Sequence, residues 1–207
     1  MNENLNRISQ QPFDYQHLKS RLKDYRYPRN KISKLLAAGD LIALKSGLYV
    51  LSEAYNKPVQ PEVIANLLYG PSYLSLDYAL SFYNLIPEHT FQLSSVTTGR
   101  CKLYRTRLGV FSYQQLKPSY YNQAYRIHKT GQSSYLIASP EKALCDKLYL
   151  HPRLSDLKSM DQLMVEDLRL EFDVVATLNR DLIDQLAQTS GSGNLRLLQK
   201  WMAANEF

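Results

Sequence analysis

Four polar side chains occupy positions that one face of an α-helix would present together. They are Arg29, Asn30, Ser33 and Lys34. At about 100° per residue they span an arc of about 140°, and the leucines and isoleucine of the segment fall outside it. Arginine can contact guanine through two hydrogen bonds, asparagine can contact adenine, and serine and lysine can bind phosphates or base edges. This face suits a helix in the major groove of DNA, although an ordinary amphipathic surface helix carries the same pattern.

Further basic and polar residues flank these four. Arg26 precedes the segment, Lys31 lies within it, and Lys45 and Ser46 follow at the tip of a predicted β-hairpin. We expect the hairpin tip to lie against the sugar-phosphate backbone, where both side chains would bind phosphates. The predicted DNA-binding residues are therefore Arg26, Arg29, Asn30, Lys31, Ser33, Lys34, Lys45 and Ser46.

The surrounding sequence predicts helix, turn, helix and hairpin in that order. Asp14 can cap a first helix, and Pro28 suits the first position of a second helix that ends at Gly39. Two apolar runs within residues 41–51 flank a glycine-containing turn, which is typical of a β-hairpin. This is the element order of a winged helix-turn-helix, and a preceding helix over about residues 4–10 would complete the usual three-helix core.

Basic charge is concentrated at the front of the chain. The sequence has 25 Lys and Arg against 19 Asp and Glu, a net charge of +6. Residues 1–52 hold nine Lys and Arg against four Asp and Glu, residues 53–150 hold ten against six, and residues 151–207 hold six against nine. A nucleic-acid-binding module followed by a more neutral domain gives this asymmetry, and a solvated basic surface explains it about equally well.

Length and composition indicate a globular protein. The chain has 207 residues, of which 44% are apolar and 21% charged, and this excludes collagen-like, disordered and coiled-coil proteins. The longest charge-free stretch, residues 63–76, is shorter than the roughly 20 apolar residues of a membrane helix. Because the first residues do not resemble a secretory signal, we expect a cytoplasmic protein that does not contact a membrane. Cys101 and Cys145 do not have the spacing of a disulfide scaffold or a zinc site, so both are expected to be buried thiols.

We predict an α+β protein of two domains. Residues 1–52 form the winged helix-turn-helix, residues 53–60 a linker, and residues 61–207 a mixed α/β domain with helices flanking a sheet. The C-terminal part, from about residue 156 to 207, is helical. Strands are predicted at 91–97, 101–105, 110–116, 125–128 and 134–138, and helices at 61–69, 75–86, 139–150, 160–170, 174–187 and 194–203.

Catalytic signals are weak by comparison. The four histidines are scattered, and the sequence contains no metalloprotease, phosphate-loop or nucleophile-elbow motif, so we predict no catalytic residue, no cofactor and no metal. Glu141 and Asp146 lie near a predicted helix start that Ser139 can cap. This arrangement of acidic residues and a lysine is faintly similar to the site of a metal nuclease. Because such an enzyme needs carboxylates that converge on the metal from strands, we prefer the capping explanation.

Two other groups of residues have open interpretations. Tyr113, Tyr120, Tyr121 and Tyr125 lie near Lys117, Arg126 and Lys129, a mixture that can stack on single-stranded nucleic acid, although tyrosines more often bury their rings. An acidic run in the last quarter of the chain is either a solvated helix face or a surface for a basic partner. It comprises Asp156, Asp161, Glu166, Asp167, Glu171 and Asp173.

Several segments resemble the AbiEi-type antitoxins of abortive-infection systems. In the winged-helix part they are Lys31 to Leu36, Gly39 to Ile42 and Lys45 to Val50, and the last of these contains Gly-Leu-Tyr. In the second domain they are Tyr73 to Leu80, Leu85 to Pro87, Ser95 to Thr98 and Ile137 to Asp146. The last of these, which contains Ser-Pro-Glu-Lys-Ala-Leu, is the most specific, and the resemblance covers about residues 13–150.

This resemblance implies a bacterial antitoxin that opposes a nucleotidyltransferase-like toxin encoded beside it. It further implies repression of its own operon through binding of the winged helix to inverted repeats in double-stranded DNA. Because a single winged helix reads one repeat, a homodimer or two independently bound monomers must occupy the site. The DNA-contacting role falls on Arg29, Asn30, Ser33, Lys34 and Lys45. The family's commoner wing has an arginine where this chain has Ser46. No antitoxin residue can be assigned, because the matching positions in the second domain are core candidates, namely Leu76, Ala79, Leu80, Ala143 and Leu144.

We therefore expect a transcriptional repressor and antitoxin that is not an enzyme. One alternative is a protein-interaction module that neutralises a toxin by direct contact through the acidic C-terminal helices. A further alternative is a nuclease-like enzyme that depends on Asp146.

Overall fold

The computed structural model describes residues 3–6, 8, 12–55, 59–131 and 133–206, and these residues form two β-sheets with helices packed around them. The larger sheet is mixed, with both parallel and antiparallel neighbours. The α+β class predicted from the sequence is confirmed. No helix of the described residues is long and apolar enough to cross a membrane.

The N-terminal part contains the helix, helix and hairpin order that the sequence predicts. Its elements are α1 (Glu3–Asn6), β1 (Phe13–Asp14), α2 (Tyr15–Arg21), α3 (Pro28–Ala37), β2 (Leu41–Lys45) and β3 (Leu48–Leu51). Asp14 caps α2 as expected, because its carboxylate accepts a hydrogen bond of 2.7 Å from the backbone N–H of His17. Gly39 and Gly47 adopt the left-handed conformation, with φ of 76° and 79°, that the end of α3 and the hairpin turn require. Residues 7, 9 and 10 of the predicted first helix lie outside the described residues.

The hairpin formed by β2 and β3 is shared between two hydrophobic cores. Leu41 and Leu51 pack with the buried faces of α2 and α3 in the N-terminal core. Leu44, Leu48 and Val50 belong instead to the large core of the remaining chain. A 3₁₀ turn at Glu53–Tyr55 follows the hairpin, and Tyr55 is buried in the N-terminal core. The hairpin therefore joins the N-terminal part to the rest of the protein, and the proposed domain boundary at residues 53–60 stays a prediction.

Six strands form the larger sheet, in the order β6-β7-β5-β4-β9-β8. Five of them were predicted and one, β4, was not, because three residues between two helices give no alternating pattern. The pairs β5–β7 and β4–β9 are parallel, and the other neighbours are antiparallel. The strands are β4 (Ser72–Leu74), β5 (Leu93–Thr97), β6 (Lys102–Thr106), β7 (Gly109–Gln115), β8 (Tyr125–Thr130) and β9 (Ser133–Ala138).

The central strand β4 is too short to pair along the whole of β9, and a side chain completes the hydrogen bonding. The Asn66 amide accepts a 2.5 Å hydrogen bond from the backbone N–H of Leu136 and donates one of 3.4 Å to the carbonyl of the same residue. Asn66 therefore takes the place of a neighbouring strand at this position.

Nine helical segments surround the sheet in the described part of residues 59–206. They are α4 (Pro61–Leu68), α5 (Leu76–Phe82), α6 (Pro118–Tyr121), α7 (Pro140–Leu150), α8 (Leu157–Asp161), a π-helical segment (Gln162–Asp167), α9 (Phe172–Val175), α10 (Arg180–Ser190) and α11 (Gly193–Ala204). The Ser139 hydroxyl accepts a hydrogen bond from the Lys142 N–H and caps α7, as predicted. The five predicted core residues of the second domain are also buried, namely Leu76, Ala79, Leu80, Ala143 and Leu144.

The two cysteines have different environments. Cys145 is buried within α7, and burial raises the pKa of its thiol. Cys101 is exposed just before β6, so the prediction that both thiols are buried is wrong for this residue. The physical reason is position, because β6 is an edge strand of the sheet and Cys101 lies at its exposed beginning between two cationic residues.

Candidate nucleic-acid interface

The predicted polar face of α3 is exposed. Arg29, Asn30, Ser33 and Lys34 all face solvent. The opposite side of the helix, which includes Ile32 and Leu35, is buried in the N-terminal core. Burial of one apolar stripe therefore fixes the rotation of α3 and leaves the hydrogen-bonding side chains available to a partner.

Side-chain contacts hold the first half of α3 against its surroundings. The Arg29 Nε donates a 3.4 Å hydrogen bond to the Tyr15 hydroxyl on α2, which raises the pKa of a guanidinium that is already charged at physiological pH. The Ser33 hydroxyl donates to the Arg29 carbonyl at 3.2 Å. Lys31 is half-buried, and its ammonium lies 5.1 Å from the centre of the Tyr25 ring.

Three elements converge near Arg29. The backbone N–H of Tyr15 donates a 3.0 Å hydrogen bond to the carbonyl of Gly47 in the hairpin turn. Because the Tyr15 hydroxyl also contacts Arg29, the start of α2, the first turn of α3 and the hairpin turn lie at the same end of the N-terminal part. Ser46 is exposed in that turn.

Two shallow clefts lie beside this end of the molecule. The first is lined by Tyr25, Arg26, Tyr27, Asn30, Lys31 and Lys34. The second is lined by Gln16, Lys19, Ser20, Lys23 and Pro28. Tyr27 was not among the predicted site residues, yet its side chain is 60% exposed and the Arg26 guanidinium lies 5.3 Å from its ring centre. A tyrosine at the start of a candidate recognition helix is a signal that the sequence analysis missed.

Lys45 has a different environment from the one predicted. Its ammonium donates hydrogen bonds of 3.1 and 2.7 Å to the carbonyls of Leu67 and Leu68 at the end of α4. Carbonyls at a helix C-terminus lack intrahelical partners and attract cations, so this contact is favourable. Lys45 therefore ties the hairpin to α4, and its ammonium is already engaged within the chain rather than free for a phosphate.

A second group of cations, which the sequence analysis did not single out, lies along the edge strand β6. The Lys102 ammonium lies 5.8 Å from the ring centre of Tyr69. Tyr69 directly follows α4, the helix whose last carbonyls accept hydrogen bonds from Lys45. The N-terminal hairpin and β6 are therefore near each other. The sequence signal was the absence of any Asp or Glu between Glu88 and Glu141, a stretch with seven Lys and Arg. The exposed cations at this edge are Arg100, Lys102, Arg105 and Arg107.

The tyrosine cluster does not form a stacking surface. Tyr113, Tyr120 and Tyr121 are at most 4% exposed, and only Tyr125 reaches 37%. The rings pack on other rings instead, for example Tyr73 on Tyr125 with centres 4.9 Å apart. The interpretation in which these tyrosines bury their rings is confirmed for three of the four, and stacking on single-stranded nucleic acid is not supported.

Asp146 lies in a fully buried ion pair. Its Oδ1 accepts a 2.7 Å hydrogen bond from the Lys142 ammonium, and its Oδ2 accepts bonds of 2.7 Å from Ser75 and 3.2 Å from Tyr73. Neither charged side chain is exposed. Burial raises the pKa of Asp146 and lowers that of Lys142, while the attraction between the two charges opposes both shifts. Lys142 also donates to the Tyr120 carbonyl at 3.1 Å.

This environment leaves Asp146 unavailable to a metal ion. Both carboxylate oxygens are occupied by donors from the protein, and the described residues contain no group of three or more His, Cys, Asp or Glu that could hold a metal. Glu141 serves the structure in another way, because its carboxylate accepts a 3.1 Å hydrogen bond from the backbone N–H of Asn179.

All six acidic residues of the C-terminal run are exposed. Asp156 caps α8 through a 2.8 Å bond from the N–H of Ser159, and Asp161 accepts a 3.0 Å bond from the Trp201 indole. The four remaining carboxylates, Glu166, Asp167, Glu171 and Asp173, are exposed. The run is therefore a solvated surface, and its use by a basic partner stays a hypothesis.

Neither a scan against protein-family models nor a search of curated proteins finds a match to this chain. The similarity to the AbiEi-type antitoxins rests on the sequence segments quoted above.

Proposed function

We propose that the protein is a DNA-binding transcriptional regulator whose N-terminal part is a winged helix-turn-helix. The observation that carries this proposal is the exposed polar face of α3, with Arg29, Asn30 and Lys34 available on a helix whose apolar side is fixed in a core. The start of α2 and the exposed turn at Ser46 lie at the same end of the molecule. A major-groove helix with flanking backbone contacts has this form.

In this proposal, α3 enters the major groove and the surrounding cations contact phosphates. Arg26 and the basic residues of α2 extend the contact on one side. The cations of β6 extend it on the other, because Lys102 is linked through Tyr69 to the helix that holds Lys45. Lys45 itself fixes the hairpin relative to α4. It thereby helps to fix the position of the basic surface around α3 relative to the basic surface along β6.

The experiment that tests this proposal compares two charge-matched double variants. Fluorescence anisotropy measures binding to a duplex taken from the region upstream of the protein's own coding sequence. Arg29→Ala with Lys34→Ala is expected to weaken binding at least about tenfold, because one good base contact contributes roughly 1–3 kcal/mol. Lys158→Ala with Lys200→Ala removes the same charge from the exposed C-terminal helices and should bind as the unmodified protein does. Equal effects of the two variants would refute the assigned face.

We further propose that the regulator is an AbiEi-like antitoxin that represses its own operon and opposes a nucleotidyltransferase-like toxin. The support is the resemblance of the α7 segment, with its Ser-Pro-Glu-Lys-Ala-Leu run, and of the shorter segments before it. Co-expression with the neighbouring nucleotidyltransferase-like gene tests this role. Growth should be restored by the full chain, and unrelieved toxicity would contradict the antitoxin proposal while leaving DNA binding untouched.

A second candidate function is direct contact with a basic protein, and one observation supports it. Four carboxylates that lie close together in the chain, Glu166, Asp167, Glu171 and Asp173, are exposed, with the partly exposed Val165 (39%) and Phe172 (42%) beside them in sequence, and a surface of one charge attracts a partner of the opposite charge. Co-purification of the neighbouring gene product with the protein, lost in Phe172→Asp, would favour this function. The two functions are compatible.

A further inference from the structure

Strand β8 is a free edge of the larger sheet within the described residues. It ends the strand order and pairs with β9 alone. The pairing is regular from Tyr125 opposite Ala138 to Thr130 opposite Ser133, with no bulge. Proteins usually protect such edges with bulges, prolines or charges, because the unpaired N–H and C=O groups can pair with another chain. β8 has no proline, and its protection of this kind is the charge of the exposed Arg126 and Lys129. The six-residue strand is long enough to support several backbone hydrogen bonds.

Apolar side chains border both faces of this edge. Ile127 is 65% exposed and Tyr125 is 37% exposed on one face. On the other face, the Phe82 ring, which is 38% exposed, packs edge to face on His128 with centres 5.2 Å apart. Because successive strand residues point to opposite faces, an added strand would find apolar contact for alternate side chains on each side.

The charge of the edge specifies what can pair with it. Arg126 and Lys129 are exposed on β8, and the whole stretch between Glu88 and Glu141 has no acidic residue. Arg126 is held in place, because its Nε donates a 3.2 Å hydrogen bond to the Tyr83 hydroxyl and its guanidinium lies 5.1 Å from that ring's centre. We propose that β8 docks an extended, acidic segment of a partner protein, which adds to the sheet as a further strand and alternates carboxylates with aliphatic side chains.

The same charges disfavour a second copy of this chain as the occupant. In an antiparallel pair of β8 strands centred between Ile127 and His128, Arg126 would lie opposite Lys129 of the other copy. Like charges directly opposite each other destabilise a strand pair. A nucleic acid is disfavoured because the neighbouring Tyr120 and Tyr121 are buried, and the large apolar side chain that the strand exposes most is the aliphatic Ile127, which cannot stack on a base.

The site is separate from the proposed DNA interface. Strands β8 and β6 are the two ends of the six-stranded sheet, five strand spacings apart, which is about 24 Å at roughly 4.8 Å each. A partner segment on β8 would therefore leave the β6 cations uncovered. The proposal does not depend on DNA binding, because its test measures the binding of peptides to β8.

The test uses the immobilised full chain and a phage-displayed library of random peptides. The library should enrich peptides in which Asp or Glu alternates with Val, Ile or Leu. Ile127→Ser should weaken the selected peptides at least about tenfold, as expected when the burial of one isoleucine is lost. Arg126→Glu with Lys129→Glu should enrich basic peptides instead, which a merely unfolded variant would not do. Two control variants make the same changes on the opposite edge strand, β6, and should leave the selection unaltered. They are Leu103→Ser and the double variant Lys102→Glu with Arg105→Glu.

Several results would overturn the proposal. They are a library that enriches nothing, selected peptides without net negative charge, and peptides that bind Ile127→Ser as they bind the unmodified protein. Sedimentation velocity that shows a dimer abolished by Ile127→Ser would assign the edge to a second copy. Displacement of the peptides by oligo(dT) would assign it to nucleic acid.

Discussion

Removal of the Lys142 ammonium is the most informative perturbation of the fold. Lys142→Met keeps the length of the side chain and leaves the Asp146 carboxylate buried without its cation. The carboxylate retains its hydrogen bonds from Ser75 and Tyr73. Breaking a buried ion pair by removing one partner costs about 3–5 kcal/mol, so the free energy of unfolding should fall by that amount at neutral pH. Lys147→Met on the same helix is the matched control, because its 2.6 Å pair with Asp77 is partly exposed and contributes at most about 1 kcal/mol.

The loss of stability in Lys142→Met should also depend on pH, and the burial of Asp146 determines the direction of this dependence. In Lys142→Met, burial without a cation raises the pKa of Asp146 above its unfolded value of about 3.9. The native carboxyl then holds a proton that the unfolded chain releases, so stability is retained below about pH 4 and falls as pH rises towards the raised pKa. The slope is at most about 1.4 kcal/mol per pH unit. The variant should therefore be closer to the unmodified protein at about pH 5 than at pH 7.

Urea unfolding at the two pH values measures both effects. The fluorescence of Trp201, the single tryptophan and only 2% exposed, reports the transition. Adding Asp146→Leu to Lys142→Met removes the unpaired carboxyl and should abolish the pH dependence. A loss below about 1 kcal/mol at pH 7, equal to that of Lys147→Met and unchanged at pH 5, would refute the buried ion pair.

Three further predictions follow from single contacts. Lys45→Met should lower stability by about 1.5–3 kcal/mol in urea unfolding, and should leave the salt dependence of DNA binding unchanged, whereas loss of a phosphate contact would reduce the slope by about 0.9. Asn66→Ala should lower stability by about 1–3 kcal/mol, because two backbone groups of Leu136 lose their partner, and a neutral effect would contradict the role of this amide. Burial raises the pKa of Tyr121 and Tyr135 to about 12. Native tyrosines then keep protons that the unfolded chain loses, so the urea midpoint should fall as pH rises from about 10 to 12, and a constant midpoint would count against this burial.

Local signals in the sequence predicted most elements of the fold. Asp14, Gly39 and Ser139 determine helix ends through their own hydrogen bonds or backbone conformation, and such effects need only neighbouring residues. Strand β4 could not be found in this way. It is three residues long, and its pairing with β5 and β9 depends on residues distant in sequence.

The candidate site was predictable where a helix face decides exposure. The periodicity of α3 separates Arg29, Asn30 and Lys34 from its buried side, and the structure places them accordingly. The environment of Lys45 was not predictable, since the carbonyls that it contacts belong to a helix more than 20 residues away. The β6 cations were visible in the sequence as an acid-free stretch, but their position near the hairpin depends on the tertiary contact between Lys102 and Tyr69.

Binding to two duplexes tests sequence-specific DNA binding most directly. Fluorescence anisotropy should compare the protein's own upstream DNA with a scrambled duplex of the same composition, across about 50–200 mM salt. Non-specific phosphate contacts weaken steeply over this range, so a recognition helix predicts that preference for the upstream duplex persists at the higher salt. Equal binding to both duplexes that is lost at the higher salt would contradict the proposed regulatory function. It would show only a basic protein that binds DNA without sequence preference.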